Sequence, residues 1–515
     1  MDVIFLNSNP ANYPYVVRTI GPYKLAHFLR KKGLDAQVVD FVVEFTEEQL
    51  YSMINKFITP KTSIIGLSMT FMSNITYPWP NNERKRIPYT LWSALKRIKS
   101  EYSNIKFILG GYMSDRMPDY SVFDATVMTY TGSNEDLIFE YVQYVKGLGP
   151  APLGRLIIPS IKDDESKTRM LYDSPRSVTY NIETDDFKWS EQDCILPGEP
   201  LPIDIARGCI FACKFCQYPH LGKGKLDYIR GMNYIEEEML ENYRKFGTTT
   251  YYMLDDTFND TEFKMQEFYK MTQRLPFKIN FISYLRADLI HRFPDMAHLL
   301  KESGLLGAYH GLESLHPYAS NLIGKGWSGK SAREFIPKLF HDTWKGEIPQ
   351  TLSFIVGFPK ETKDDVLSTK DWFIQNNLHN CHFKGLALFG WDNPNKLWTL
   401  ESEFDKNYEK YGFWFADGKG KMAGKKLWRN ETWMQGNAHK LAEDINKDLQ
   451  NICKVGVWMV PALIWSNGWT KERVMKEPWG KLLKFEGMSS LPERMALSKN
   501  AKSKYKDYYD KIMAI

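Results

Sequence analysis

Three cysteines are crowded into eight residues of this chain, Cys209-Ile-Phe-Ala-Cys213-Lys-Phe-Cys216. Three thiolates on one short loop suit three corners of a cubane iron–sulfur cluster. The other cysteines, Cys194, Cys381 and Cys453, are scattered, so no fourth thiolate lies nearby. A fourth would saturate the cluster and leave it an electron carrier. Without it, one iron stays open to a chelating ligand, as the open position of a catalytic zinc does. The competing chemistry is a zinc knuckle, which His220 would complete as fourth ligand, although knuckle spacing usually shows two separated pairs. Cys381 and Cys453 are candidates for radical or proton donors, or are simply buried and inert thiols.

Such a loop needs a frame. Residues 1–150 alternate short apolar runs with amphipathic stretches. Strands are expected at Asp2–Asn7, Ala36–Phe41, Ser63–Met69, Lys106–Leu109 and Ala125–Tyr130. Helices are expected at Pro22–Lys32, Tyr89–Lys99 and Asn134–Lys146. Thr46 and Gln49 have capping-box spacing ahead of a further helix. Five apolar strands separated by helices imply a parallel sheet covered on both faces, and such sheets bind ligands beyond the carboxyl ends of their strands. Small residues stand at those ends: Ser8 and Asn9, then Ser68, Met69 and Thr70, then Gly110 and Gly111, then Thr131 and Gly132. They suit close approach of a bulky ligand, or ordinary strand-to-helix turns.

Residues 151–198, with GLGPAPLG and KDDESK, read as a linker. Six βα units follow over 199–400, with strands near Ile203–Ala206, Thr249–Leu254, Ile279–Ser283, Leu306–Gly311, Thr351–Gly357 and His382–Leu388. They suggest a partial barrel. Residues 401–515 favour helices and are expected to cover the barrel mouth. Trp391, Trp398, Trp428 and Trp433 are read mostly as core.

Composition narrows the class. A chain of 515 residues exceeds what one core sustains, so two or three domains are expected. A formal charge of +5 is too small to predict a nucleic-acid partner, and the basic run Asn82–Ile87 reads as a solvated loop. The first residues lack a signal-peptide pattern, and no stretch is apolar enough to span a bilayer. A soluble protein of the reducing cytoplasm is the expectation.

The cysteine spacing resembles that of the radical S-adenosylmethionine superfamily, and the likeness continues in order from Ala206 to Thr362. Ala206-Arg-Gly-Cys209 is similar to the start of the family's cluster loop. Leu254-Asp-Asp-Thr-Phe258, His310-Gly-Leu-Glu-Ser314, Gly324-Lys-Gly326 and Phe354-Ile-Val-Gly-Phe-Pro-Lys-Glu-Thr362 are similar to its later barrel segments. The resemblance implies a [4Fe-4S] cluster on Cys209, Cys213 and Cys216. It also implies a site for S-adenosylmethionine (SAM) in which Phe215 lies beside the adenine, Asp255 near the methionyl amine and Arg286 near the carboxylate, with Glu313, Ser314 and Gly357 adjoining. Each has a plainer reading: Asp255 and Asp256 cap a helix, Arg286 pairs with Asp288, and Glu313 satisfies backbone donors. An electron from an external donor, such as flavodoxin or ferredoxin, would cleave SAM to a 5′-deoxyadenosyl radical.

The α/β domain ahead of the barrel resembles the cobalamin-binding branch of that superfamily. The fold so implied is a five-stranded doubly wound (Rossmann or flavodoxin-like) domain, a partial (β/α)6 TIM-like barrel and a mainly helical C-terminal region. The corrin positions would be Ser8, Asn9, Ser68, Met69, Thr70, Gly110, Gly111, Tyr112, Thr131 and Gly132. The match departs from the family where Tyr112-Met113 replaces Pro-His and where Ser133-Asn134 alters the second turn. The Asp-x-His-x-x-Gly motif is absent from Ser8–Gly21, so no imidazole from that loop ligates cobalt. The implied activity is methylation of an unactivated carbon in a small molecule or peptide side chain, by way of the radical and methylcobalamin. Radical cyclisation or rearrangement, with or without cobalamin, is the alternative. A zinc-stabilised binding protein is the non-catalytic one.

Overall fold

The computed structural model describes residues 1–9, 16–72, 76–111, 122–128, 134–152, 156–159, 182–216, 228–388, 402–417, 426–478 and 491–515. Two compact units emerge. Unit 1 gathers Met1–Pro202, Glu237–Thr248 and Leu497–Ile515; unit 2 gathers Ile203–Glu236 and Thr249–Ala496.

In unit 1 the strands are β1 (Val3–Leu6), β2 (Ala36–Val39), β3 (Ile64–Ser68), β4 (Lys106–Gly110), β5 (Ala125–Met128) and β6 (Leu156–Pro159). They lie in the order β2-β1-β3-β4-β5-β6. The first five are parallel, as the alternation of apolar runs and helices predicts. The reversal of strand order between β1 and β3 makes the sheet doubly wound. β6 adds an antiparallel edge strand inside the stretch read as a linker. Its four residues, Leu-Ile-Ile-Pro, carry no period long enough to separate a strand from a loop. Helix α1 (Ile20–Lys31) buries Tyr23, Ala26 and Leu29. Helix α2 (Glu47–Phe57) starts with the expected capping box between Thr46 and Gln49 and buries Leu50, Met53, Ile54 and Phe57.

Unit 2 is built on β7 (Leu201–Ile203, at the boundary between the units), β8 (Thr250–Met253), β9 (Asn280–Leu285), β10 (Leu305–Glu313), β11 (Gln350–Val356) and β12 (Asn380–Gly385). These form one sheet in strict sequence order, and β8 to β12 pair in parallel. Parallel crossovers are right-handed, so a sequential order sends every connection to the same face. That face carries the core: Leu352, Phe354 and Val356 meet Ile336, Val366 and Phe373. Trp428 and Trp433 belong to this core, whereas Trp391 and Trp398 lie outside the described residues. The C-terminal third is not purely helical, since Trp414–Asp417 and Lys426–Arg429 pair as an antiparallel hairpin.

Candidate functional site

The cysteine loop follows β7 directly. Arg207 N donates to Tyr228 O at 3.2 Å and Arg230 N to Ile205 O at 2.8 Å, closing the base of the loop. Further along, Lys214 N donates to Ile323 O at 3.1 Å and Phe404 N to Lys214 O at 2.9 Å. The backbone between Cys213 and Phe215 is thus held from both sides. Cys209, Cys213 and Cys216 are all half-buried, and none of them is in a disulfide. Cys209 Sγ lies 3.4 Å from Thr257 Oγ1, and Arg286 Nη1 donates to Cys213 Sγ at 3.6 Å. Burial pushes the Cys213 thiol up, with Lys325 and Arg286 opposing it.

Arg286 stands at the end of β9. Its backbone is clamped by Asn259, whose Nδ2 donates to Arg286 O at 3.0 Å and whose Oδ1 accepts from Arg286 N at 2.8 Å. The guanidinium makes a two-point pair with Asp288 (3.0 and 2.7 Å), donates to Lys325 O at 2.7 Å and lies 3.9 Å from the Phe211 ring centroid. The Arg286–Asp288 pair was one of the plainer readings, and it forms. It orients the guanidinium toward the cysteine loop without neutralising every N–H.

Glu313 ends β10 after a register shift against β11, in a left-handed conformation with φ of 66°. A bulge of this kind re-aims a side chain, and here the carboxylate meets Lys325 Nζ at 2.8 Å. Lys325 Nζ also donates to Gly311 O. A side chain at Gly311 would strike Glu313 Oε1 and crowd Lys325 Nζ, so the pair as it stands favours glycine there. Lys325 Nζ stands 5.9 Å from the Phe215 ring centroid, and Phe215 packs edge-on to Phe358 at 6.5 Å. Arg286, Glu313, Lys325 and Phe215 therefore gather around the Cys213 end of the loop.

Asp255, Ser314 and Gly357 are bound more tightly into the fold. Asp255 is fully buried and its Oδ1 accepts from Lys264 Nζ at 2.7 Å, with Asp260 3.4 Å from the same amine. Burial pushes Asp255 up to about 6, with Lys264 opposing it. The Ser314 hydroxyl accepts from His316 N at 3.0 Å and bonds Glu361 Oε1. Burial pushes Glu361 up to about 8, and its Oε2 has no partner among the described residues. Gly357 has φ of +127°, and a side chain there would come within 2.6 Å of the Trp428 ring. Its carbonyl accepts from Asn430 Nδ2 at 2.9 Å.

In unit 1 the strand ends differ from one another. At β1 and β2, Arg18 is fully buried, pairing with Glu199 at 2.6 Å and donating to Tyr23 OH at 2.5 Å, while Tyr23 OH donates to Asp40 at 2.7 Å. Asn7 joins this network through Asp40 (3.0 Å) and Thr19 (2.7 Å), and Tyr508 OH accepts from Asp40 N at 2.7 Å. At β3 and β4, Met69 N donates to Gly110 O at 2.8 Å. Gly111 has φ of +94°, and a side chain there would strike Thr70 Oγ1. Ser8, Ser68, Met69, Thr70 and Gly110 carry no charge. Tyr112, Thr131 and Gly132 lie outside the described residues, as does His220.

Lys264, Asn259, Phe211 and Phe404 were not legible as site residues. Lys264 lies nine positions after Asp255, a separation that no local pattern links. Cys381 and Cys453 Sγ atoms lie 3.8 Å apart in the buried core, and burial pushes the Cys194 thiol up to about 11. Among the described residues, no three His, Cys, Asp or Glu side chains converge as around one metal ion. A cubane asks for something else: three thiolates spread over three irons on one loop.

Residues 203–373 match the family described as the Radical SAM superfamily. A protein of Pyrococcus horikoshii described as an uncharacterized methyltransferase is 24% identical over 369 residues, covering 69% of this chain and 73% of its own. The radical SAM methyltransferase TsrM from Kitasatospora setae, solved with cobalamin and a [4Fe-4S] cluster, superposes with a TM-score of 0.62 at 12% identity, covering 98% of this chain and 99% of its own. The cobalamin-dependent SAM radical enzyme OxsB, solved with aqua-cobalamin, superposes with a TM-score of 0.55 at 13% identity, covering 99% and 72%. The two-sheet architecture is thus that of these proteins. Among the described residues, no helix is long and apolar enough to cross a membrane.

Proposed function

We propose that this chain, a radical SAM protein by its central domain, is a cobalamin-dependent methyltransferase acting on an unactivated carbon. The observation that carries the reading is the placement of the cysteine loop at the carboxyl ends of a parallel sheet, beside Arg286, the Glu313–Lys325 pair and Phe215. Barrel enzymes build their chemistry at that end. When bound, the cluster and SAM supply a 5′-deoxyadenosyl radical, and the corrin supplies a transferable methyl group.

The residues present fit these groups. Cys209, Cys213 and Cys216 would hold the cluster. The loop is fixed at Lys214 from two sides, so the backbone that carries Cys213 is positioned before any ligand binds. Arg286 keeps its charge beside Cys213 and would face a carboxylate, while Glu313 would face an ammonium, and Phe215 offers a ring for the adenine. Asp255 acts one step back: through Ile205 N, at 3.4 Å, it braces the strand that leads into the cysteine loop. Ser314 and Glu361 form a neutral support under the end of β10. In unit 1, uncharged Ser68, Met69, Thr70 and Gly110 beside the β1/β3 switch point suit a broad, amide-rimmed macrocycle. The neighbours' cofactors, a reducing cytoplasm and an external one-electron donor of the flavodoxin or ferredoxin type belong to the same reading.

The test is anaerobic reconstitution with iron, sulfide and hydroxocobalamin. The expected product is a brown protein that retains corrin absorbance and forms 5′-deoxyadenosine from SAM under reducing conditions. Alanine at Cys209, Cys213 and Cys216 together should abolish SAM cleavage. A triple variant that still cleaves SAM sinks the reading, and a wild type that cleaves SAM without retaining corrin sinks its cobalamin part.

A further inference from the structure

The second sheet has a face that its helices do not use. Register places Tyr284 opposite Tyr309, Gly311 opposite Ser353, and Ser353 opposite His382. Alternation along parallel strands puts these on one face, and puts Leu352, Phe354, Val356 and Phe383 on the other, where the core lies. Among the described residues, this face is aromatic toward the amino ends of the strands and polar toward their carboxyl ends.

Its amino-terminal half is plugged by the chain itself. Val457 N donates to Thr351 Oγ1 at 3.2 Å, and Gly307 leaves room for Val457, which would lie 3.2 Å from any side chain there. Next to it the Trp458 ring stacks on Tyr252 at 6.3 Å with 8° between planes, and meets Tyr284 at 4.6 Å. Tyr284 in turn meets Tyr309 at 4.9 Å, edge to face. Above this aromatic floor, toward the strand ends, the wall turns polar, with Ser353, half-buried His382 and exposed Lys384. Tyr284 keeps 39% of its surface although it is surrounded by rings on one side. Burial and then Lys384 push His382 down to about 4, so the imidazole is neutral at physiological pH. Lys384 makes no ion pair among the described residues.

We propose that this inner face is the substrate site and that it takes a planar aromatic acid, its ring against Tyr284 and Tyr309 over the Trp458 floor and its anionic group on Lys384. An exposed aromatic wall offers offset and edge contacts that only a flat ring can use in full. An ammonium with no ion pair among the described residues selects an anion, and neutral His382 and Ser353 add hydrogen bonds without adding charge. The same alternation that lines this wall ends, two residues on, at the Glu313–Lys325 pair beside the cysteine loop. A ring held here therefore stands in the same unit as the groups assigned to SAM. The inference rests on the proposed reading for its reaction, and on this wall alone for its binding.

The test is binding of 2-naphthoate to the full-length chain, followed by saturation-transfer NMR and calorimetry without SAM or reductant. Wild type should bind with Kd of about 1 mM or tighter, as a fragment of this size can. Decanoate and neutral 2-methoxynaphthalene should each bind at least about tenfold more weakly. Lys384→Gln, at an exposed position, should lose about tenfold for naphthoate and leave methoxynaphthalene unchanged. Tyr284→Leu should weaken both aromatic probes about threefold to tenfold. No naphthoate binding to wild type, equal binding of decanoate, or an unchanged Kd in Lys384→Gln overturns the proposal. Because no cofactor enters the measurement, failure of radical chemistry leaves a positive result standing, and failure of naphthoate binding leaves the radical reading standing.

Discussion

The two sheets are wound differently, and the winding decides where each can hold a ligand. In unit 1 the order β2-β1-β3-β4-β5-β6 reverses beside β1, so helices cover both faces and a ligand is expected beyond the strand ends. In unit 2 the order runs in sequence, the helices share one face, and the other is left to be lined by side chains. The polar chemistry follows suit. Unit 1 spends its buried charge on closing the β1 and β2 ends with Arg18, Glu199 and Asp40, and leaves the β3 and β4 ends neutral. Unit 2 brings Lys264, Arg286 and Lys325 to the β8, β9 and β10 ends, each tied to a carboxylate. Under the proposed reading, the first arrangement would leave backbone and small residues for a large neutral group, and the second would set separate charges against a small zwitterion.

The largest effects should come from breaking the buried charge in either unit. Arg18→Met leaves Glu199 and Asp40 without their counter-ion, and Lys264→Met does the same to Asp255 and Asp260. Each should cost about 3–5 kcal/mol, because removing one partner strands a buried charge. Urea midpoints of the two variants against wild type measure this. A loss below about 1 kcal/mol in either would mean that the carboxylates find water or a proton, and that the pair is not what holds the strand end.

A smaller, pH-dependent effect sharpens the picture of the support beneath β10. Glu361 is held near 8, above its ordinary 4.5, chiefly by burial and against the Ser314 hydrogen bond. The folded state therefore keeps a proton that the unfolded state loses between those values. The stability this gives is fully present below 4.5 and is lost as pH rises through about 8. The slope should be about −1.4 kcal/mol per pH unit in between. Subtracting the unfolding free energy of Glu361→Gln from that of wild type, pH by pH, isolates it. A flat difference from pH 5 to 8 would place a charged Glu361 in the fold and refute the neutral support.

Much of this was legible in the sequence, and the reasons for the rest are physical. The strands of both sheets are runs of branched and aromatic residues, so they announce themselves, and Thr46 with Gln49 marks a helix start by its own chemistry. What periodicity cannot carry is pairing across long separations. Arg18 finds Glu199 across 181 positions, Lys264 finds Asp255 from the far end of a turn, and Cys381 finds Cys453 across 72. β6 reads as linker because the Gly/Pro-rich GLGPAPLG precedes it and the polar KDDESK follows it. The cysteine loop was legible by spacing, but its clamps at Ile323 and Phe404 are backbone bonds, which no side chain advertises.

The smallest effect tests the neutral strand ends of unit 1. At Gly111 a single methyl group matters, for two separable reasons. Its φ of +94° strains any L-residue, and an added Cβ would strike Thr70 Oγ1. Gly111→Ala should therefore cost about 1–2 kcal/mol, part from backbone strain and part from the clash. Adding Thr70→Ala should return at least about 0.5 kcal/mol, the coupling expected of two groups in contact. The strain, which Thr70→Ala cannot relieve, should persist. If the ledge at β3 and β4 carries corrin, Gly111→Ala should also lower the corrin retained after reconstitution while leaving iron and sulfide per chain at the wild-type level. Parallel loss of corrin and iron would instead mean that the substitution disturbs the whole chain. Unchanged corrin with the expected loss of stability would move the cobalamin site away from the switch point, and with it the contrast between a sheet that binds beyond its ends and one that binds on its face.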